Sequence, residues 1–175
     1  MSESEFGDIV QTPHEALQTA SPEVSLGMIP SPEIKDIISR MKKALNDTDD
    51  GVAIAAPQIG ENVRIFAVSP KIFEDPSQEH LIYINPKIIK SSKKKHWVDE
   101  GCLSVRWKYG QTHRHQQATV EALSENGEKF VRQGSGLLAQ IFQHEIDHLD
   151  GIIFTDHARH VKEYDPQEQK DPDQE

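Results

Sequence analysis

"SGLLAQIFQHEIDHLDG", residues 135–151, reads as one helix carrying two histidines on its apolar side. Ser135 stands where a cap is expected and Gly151 where a helix stops. The helix is predicted from about Leu137 to Leu149. His144 and His148 are four positions apart, so they stack on one face. Leu137 and Ile141 fall on that face as well, which turns both imidazoles inward. Two inward imidazoles at this spacing can share one metal ion, each through a ring nitrogen. Glu145 lies about 100° round the helix from His144. It reaches the vicinity of such an ion without binding it, as a general base for metal-activated water must. The plainer reading leaves one or both histidines as satisfied core residues. Asp147 is placed to orient a ligand histidine or simply to face water.

The segments around this helix set the fold class. "SPEIKDIISRMKKALND", residues 31–47, has Ser31 as a cap, Pro32 at the first helical position and Glu33 at the positive end of the dipole. Ile34, Ile37, Ile38, Met41 and Leu45 form its buried stripe. Between the two helices the chain is strand-rich. "VRIFAVS" (63–69) and "HLIYINPKII" (80–89) carry β-branched and aromatic residues between turn signals. "ATVEAL" (118–123) and "EKFVRQ" (128–133) flank Asn126-Gly127, which predicts a hairpin. Strands in the middle and helices near either end predict an α+β fold. In it, antiparallel β-sheets pack around the central metal-binding helix, with an N-terminal helix alongside. One catalytic domain is expected over 1–162, with frayed residues at 1–8 and a disordered acidic tail over 163–175.

Composition narrows the partners. The net charge of −10 argues against direct nucleic-acid binding, which needs clustered Lys and Arg. The one basic run, Lys93–Lys95, reads as a solvated turn. Mean hydropathy is −0.63, and no apolar run approaches the ~18 residues of a membrane helix. The N-terminus is acidic without an apolar stretch, unlike a secretory signal. These features lead to the expectation of a cytoplasmic protein of bacterial type, with an organelle or a phage-infected host as the alternatives. His113 with His115, and His157 with His160 (read as sharing a helix face), look like surface pairs.

Cys102 is the only cysteine, so an intramolecular disulfide is impossible. It is core filler, a nucleophile or a metal ligand. A catalytic metal site keeps three protein ligands and one open position, and Cys102 would complete that set with the two histidines. "GVAIAAPQIG", residues 51–60, adds small residues that let backbone approach something closely, with Gln58 set among apolar neighbours. Alone it is a tight turn into a strand.

Taken in order, "GVAIAAPQIG", "EGCLSV" and "QHEIDHLDG" resemble the three signature motifs of the peptide deformylases, over roughly residues 9–157. That family removes the formyl group from the N-terminal methionine of newly made proteins, releasing formate. The resemblance implies that Cys102, His144 and His148 hold a divalent metal, with Glu145 as general acid/base. Gln58 and the backbone N–H of Leu103 would stabilise the oxyanion. Gly51, Val52, Ala53, Glu100 and Gly101 would support the site and bind peptide. Arg114 falls at a position similar to a substrate-contacting arginine. Val52, Val98, Leu137 and Ile141 would form the methionine pocket, with Gln140 at its rim. Family members use Fe2+ and tolerate Zn2+, Ni2+ or Co2+. The implied partners are N-formyl-methionyl nascent peptides and the ribosome exit region.

Two positions depart from the motifs. Ala53 stands where the family usually has glycine, and Arg106, followed by Trp107, Lys108 and Tyr109, where proline is common. These bear on peptide affinity and selectivity rather than on the metal. Two other readings compete: a zinc endopeptidase-like metallohydrolase, suggested by His-Glu-x-x-His, and a non-catalytic binder of formyl-peptides.

Overall fold

The computed structural model describes residues 7–165. The N-terminal helix of the sequence reading is α2 (Pro32–Asn46), preceded by a short turn of helix, α1 (Glu15–Gln18). Ser31 caps α2 as expected, its hydroxyl accepting the Ile34 N–H. Three strands follow: β1 (Ala53–Ala55), β2 (Ile65–Val68) and β3 (Ile82–Ser91). Then come β4 (Lys95–Gly101), β5 (Lys108–His115), β6 (Gln117–Leu123), β7 (Lys129–Ser135), the histidine helix α3 (Leu137–Leu149) and β8 (Arg159–Glu163). The fold is α+β, and every strand pair is antiparallel.

The strands form a five-stranded sheet, β1-β2-β3-β6-β7, and a three-stranded one, β4-β5-β8. Residues of β1, β2 and β3 alternate between two cores. Ile54, Ile65, Ala67, Ile82 and Ile84 pack with the α2 stripe of Ile34, Ile37, Ile38, Met41 and Leu45. Ala53, Ala55, Phe66, Val68 and Tyr83 pack with Leu138, Ile141, Phe142, Ile146 and Leu149 of α3. Strand side chains alternate in direction, so one helix covers each face of these strands. Phe66 and Tyr83 stack at 4.5 Å beneath α3. The histidine helix is therefore anchored by its apolar face on the sheet's aromatic floor.

The hairpin predicted around Asn126-Gly127 forms, with Ala118 opposite Gly134 and Leu123 opposite Lys129. Gly127 has φ of 79°, the left-handed conformation the turn requires. Three expectations change. Ser135 does not cap α3, because it is the last residue of β7. Gly136, at φ 56°, takes the cap position without a side-chain hydrogen bond. His157 and His160 do not share a helix, since His160 lies in β8. β8 runs to Glu163, and the Tyr164 N–H donates to Trp107 O at 2.7 Å, so the boundary expected at 162 cuts into folded structure. The rest of the expected tail, 166–175, and residues 1–6 lie outside the described residues.

The β7–α3 junction is close-packed. A Cβ at Gly134 would stand 2.9 Å from the Phe142 ring, 3.1 Å from Leu138 and 3.2 Å from the Ala139 nitrogen. Gly134→Ala is expected to cost about 1–3 kcal/mol through overpacking, read as a lower urea midpoint at unchanged slope.

Candidate active site

The metal-ligating candidates come from two places in the fold, the helix α3 and the loop after β4. α3 presents His144 and His148 one turn apart, with ring centroids 4.9 Å apart. Cys102 follows the last residue of β4 and opens the loop to β5. The Val105 N–H bonds back to Cys102 O at 3.1 Å, which makes that loop a tight turn. The loop is clipped from outside as well. Gln11 donates to Leu103 O at 2.8 Å and accepts from the Arg106 N–H at 3.3 Å. The result is that one donor atom from each of Cys102, His144 and His148 lies within 4.8 Å of the others. Cys102 Sγ and His148 Nε2 are 3.2 Å apart. Sulfur and nitrogen ligands of one tetrahedral ion stand about 3.6 Å apart, so the set fits a single divalent metal.

Buried carboxylates set the electrostatics. His144 Nδ1 meets Glu100 Oε2 at 2.9 Å, leaving Nε2 for the centre. Glu100 also accepts from Nη2 and Nε of Arg114, at 2.6 and 3.1 Å, and from the Thr112 hydroxyl at 3.1 Å. Arg114 reaches on to Asp147 at 2.7 Å. Burial alone would raise Glu100, but hydrogen bonds and positive charge from His144 and Arg114 outweigh it and hold its carboxyl well below the usual range. Burial opposes charge on His144, yet its bonds to Cys102 and Glu100 prevail and raise it. Burial and the His144 charge push His148 down.

Glu145 is 3% exposed, and its Oε2 has no hydrogen-bond partner among the described residues. Burial pushes it up to about 7, against the pull of the His144 charge. A divalent cation among the three donors would favour the ionised thiol and carboxyl and the neutral rings. Gln58 is buried behind the cysteine. Its Oε1 accepts the Ala55 N–H at 2.9 Å, which turns its amide nitrogen toward Ser104 Oγ at 3.2 Å and Cys102 Sγ at 3.6 Å.

These groups line a cleft of about 440 Å³. Of the residues expected from sequence, Gly51, Val52, Ala53, Gln58, Glu100, Gly101, Cys102, Leu103, Leu137, Ile141, His144 and Glu145 line it. His148 lies fully buried behind, within the ligand cluster. Val98 and Arg114 do not line the cleft. Val98 sits earlier on β4, and Arg114 spends its guanidinium on Glu100 and Asp147, so it supports the ligands from below. Asp147 orients Arg114 rather than a ligand histidine. That part falls to Glu100. Leu137 is half exposed at the rim, not buried with Ile141. Ala53 lies in ordinary strand, so its methyl meets no left-handed backbone. Asp50 and Asp99 also line the cleft and were missed, since exposed acids next to a motif carry no sequence signal.

The sequence model described as polypeptide deformylase matches residues 6–164. The chain belongs to the peptide deformylase family. Among curated relatives, peptide deformylase 2 of Clostridium acetobutylicum is 44% identical over 124 residues, covering 71% of this chain and 78% of that protein. The peptide deformylase of Desulforudis audaxviator is 39% identical, covering 86% and 92%. The crystal structure of the Synechococcus elongatus deformylase in complex with actinonin superposes with a TM-score of 0.78 at 30% identity, covering 87% of this chain and 80% of that one. As a deformylase this chain is a metal-dependent hydrolase that frees the N-terminal methionine of new proteins from its formyl group. That function prevails over the zinc endopeptidase and the non-catalytic binder.

The Arg114 guanidinium is 6% exposed and faces Glu100 at 3%. Arg114→Met would strand a buried carboxylate and is expected to cost roughly 3–5 kcal/mol. Denaturant unfolding of the metal-free protein measures it directly.

Proposed function

We propose that Cys102, His144 and His148 hold the metal of this deformylase and that Glu145 is its acid/base residue. The observation that carries this reading is the convergence of those three donors beside a buried carboxylate with an unpartnered oxygen. A thiolate with two imidazoles suits Fe2+ or Zn2+, and Ni2+ or Co2+ fit as substitutes. We assign Fe2+ as the metal in the cell, on the strength of the family resemblance.

The cleft walls explain how peptide is held. One wall is β1, an edge strand, with Gly51 and Val52 before it. The other is the end of β4, also an edge. Edge strands leave main-chain donors and acceptors unpaired, so an extended peptide can lie between them as an added strand. Val52, Leu137 and Ile141 receive the methionine side chain. A divalent ion, when bound, supplies Lewis acidity that polarises the formyl oxygen and makes an attacking water more acidic. Glu145 accepts the proton of that water. The Gln58 amide and the Leu103 N–H donate to the formyl oxygen as negative charge builds there. Glu145 then passes its proton to the methionine nitrogen as the C–N bond breaks. Formate and a free α-amine leave. The chain acts on N-formyl-methionyl nascent peptides at the ribosome exit, in the cytoplasm. Its catalytic domain extends through β8.

Two outcomes are expected. The protein reconstituted with Fe2+ under anaerobic conditions releases formate from formyl-Met-Ala-Ser, and chelation abolishes release. Glu145→Gln keeps one metal per chain and lowers kcat by roughly 10²–10⁴. A Glu145→Gln protein with normal turnover would show that the base lies elsewhere.

A further inference from the structure

A second cavity, of about 540 Å³, adjoins the catalytic cleft and shares Asp99 and Tyr109 with it. Its remaining side chains come from Gln111 on β5, His160 and Lys162 on β8, and Tyr164. We propose that this cavity is an extended subsite for the peptide substrate, binding residues beyond roughly the third from the methionine. The inference rests on the deformylase function.

Three features support it. The first is continuity: a polypeptide whose methionine fills the cleft has to leave it, and the second cavity, an open recess, shares Asp99 and Tyr109 with the cleft. The second is the construction of the site. The β5–β8 pairing slips between Tyr109 and Gln111, and β-bulges of this kind re-aim side chains beside active sites. His160 holds φ of 53°, a conformation that a non-glycine residue adopts at a cost. Gly110 lets β8 lie close, because a Cβ there would meet Val161 at 3.1 Å, Ala158 at 3.2 Å and the Arg159 carbonyl at 3.3 Å. Tyr109 and Tyr164 meet edge to face at 5.4 Å and form an aromatic wall.

The third feature is chemical. Gln111 is fixed from both sides, accepting from Arg159 Nε at 3.2 Å and donating to Asp99 at 3.5 Å. Lys162 has no carboxylate partner among the described residues. A fixed amide, a free ammonium, an imidazole and two phenols suit the main chain and polar side chains of an extended peptide. They offer no apolar pocket for a second methionine.

The test compares formyl-Met-Ala-Ser with a nonapeptide beginning with the same three residues, using Fe2+-loaded enzyme. The longer substrate is expected to show a kcat/KM about five- to tenfold higher, carried by KM, the scale of one or two net hydrogen bonds. The double variant Lys162→Ala/Tyr164→Ala and, separately, His160→Gly are expected to erase this gain while leaving tripeptide kcat/KM unchanged. Equal kcat/KM for the two substrates, with the tripeptide turning over, would overturn the subsite and leave the deformylase function standing. So would retention of the gain in both variants, or a parallel loss on both peptides with a lowered melting temperature. No formate from the tripeptide would sink both readings.

Discussion

The buried pairing of Glu100 with Arg114 is the constraint on which the site depends. It joins two strands of the small sheet to each other and, through His144 and Asp147, to the histidine helix. Two charges that deep are tolerable only because nearly every lone pair and N–H finds a partner. The same need fixes where β4 ends relative to α3, and so where Cys102 arrives. Gln143 adds a second tie, accepting from the His115 N–H and donating to the His115 carbonyl. The three candidate ligands are held by groups that lie outside the donor set.

The large sheet supplies the other half of the positioning. α2 and α3 cover opposite faces of β1, β2 and β3, so a shift of α3 would have to disturb the Phe66–Tyr83–Phe142 cluster. Close-packed aromatic contacts of this kind transmit displacement rather than absorb it. Catalytic geometry is thus anchored in a core that carries no chemistry of its own.

Much of this was legible in the sequence because it follows from local rules. The stripe of α2, the Asn126-Gly127 hairpin and the i, i+4 histidines each depend on residues close together in the chain. The ligand role of Cys102 came from resemblance, since nothing local separates a ligand thiol from core filler. What was misread depends on distant partners. Arg114 passed for a substrate contact because its true partners, Glu100 and Asp147, lie 14 and 33 residues away. Ser135 looked like a cap because the preceding strand runs directly into the helix. β8 was missed because its sequence is polar and every residue of it is exposed. It is a strand because β5 offers a free edge.

The solitary thiol has a chemical consequence. Peroxide that converts Cys102 to a sulfenic acid finds no neighbouring sulfhydryl in this chain to trap it as a reversible internal bridge. Repair then falls to small-molecule reductants entering through the same opening that admits formylated chains. Otherwise the sulfur proceeds to the sulfinic state, and the centre is lost for good.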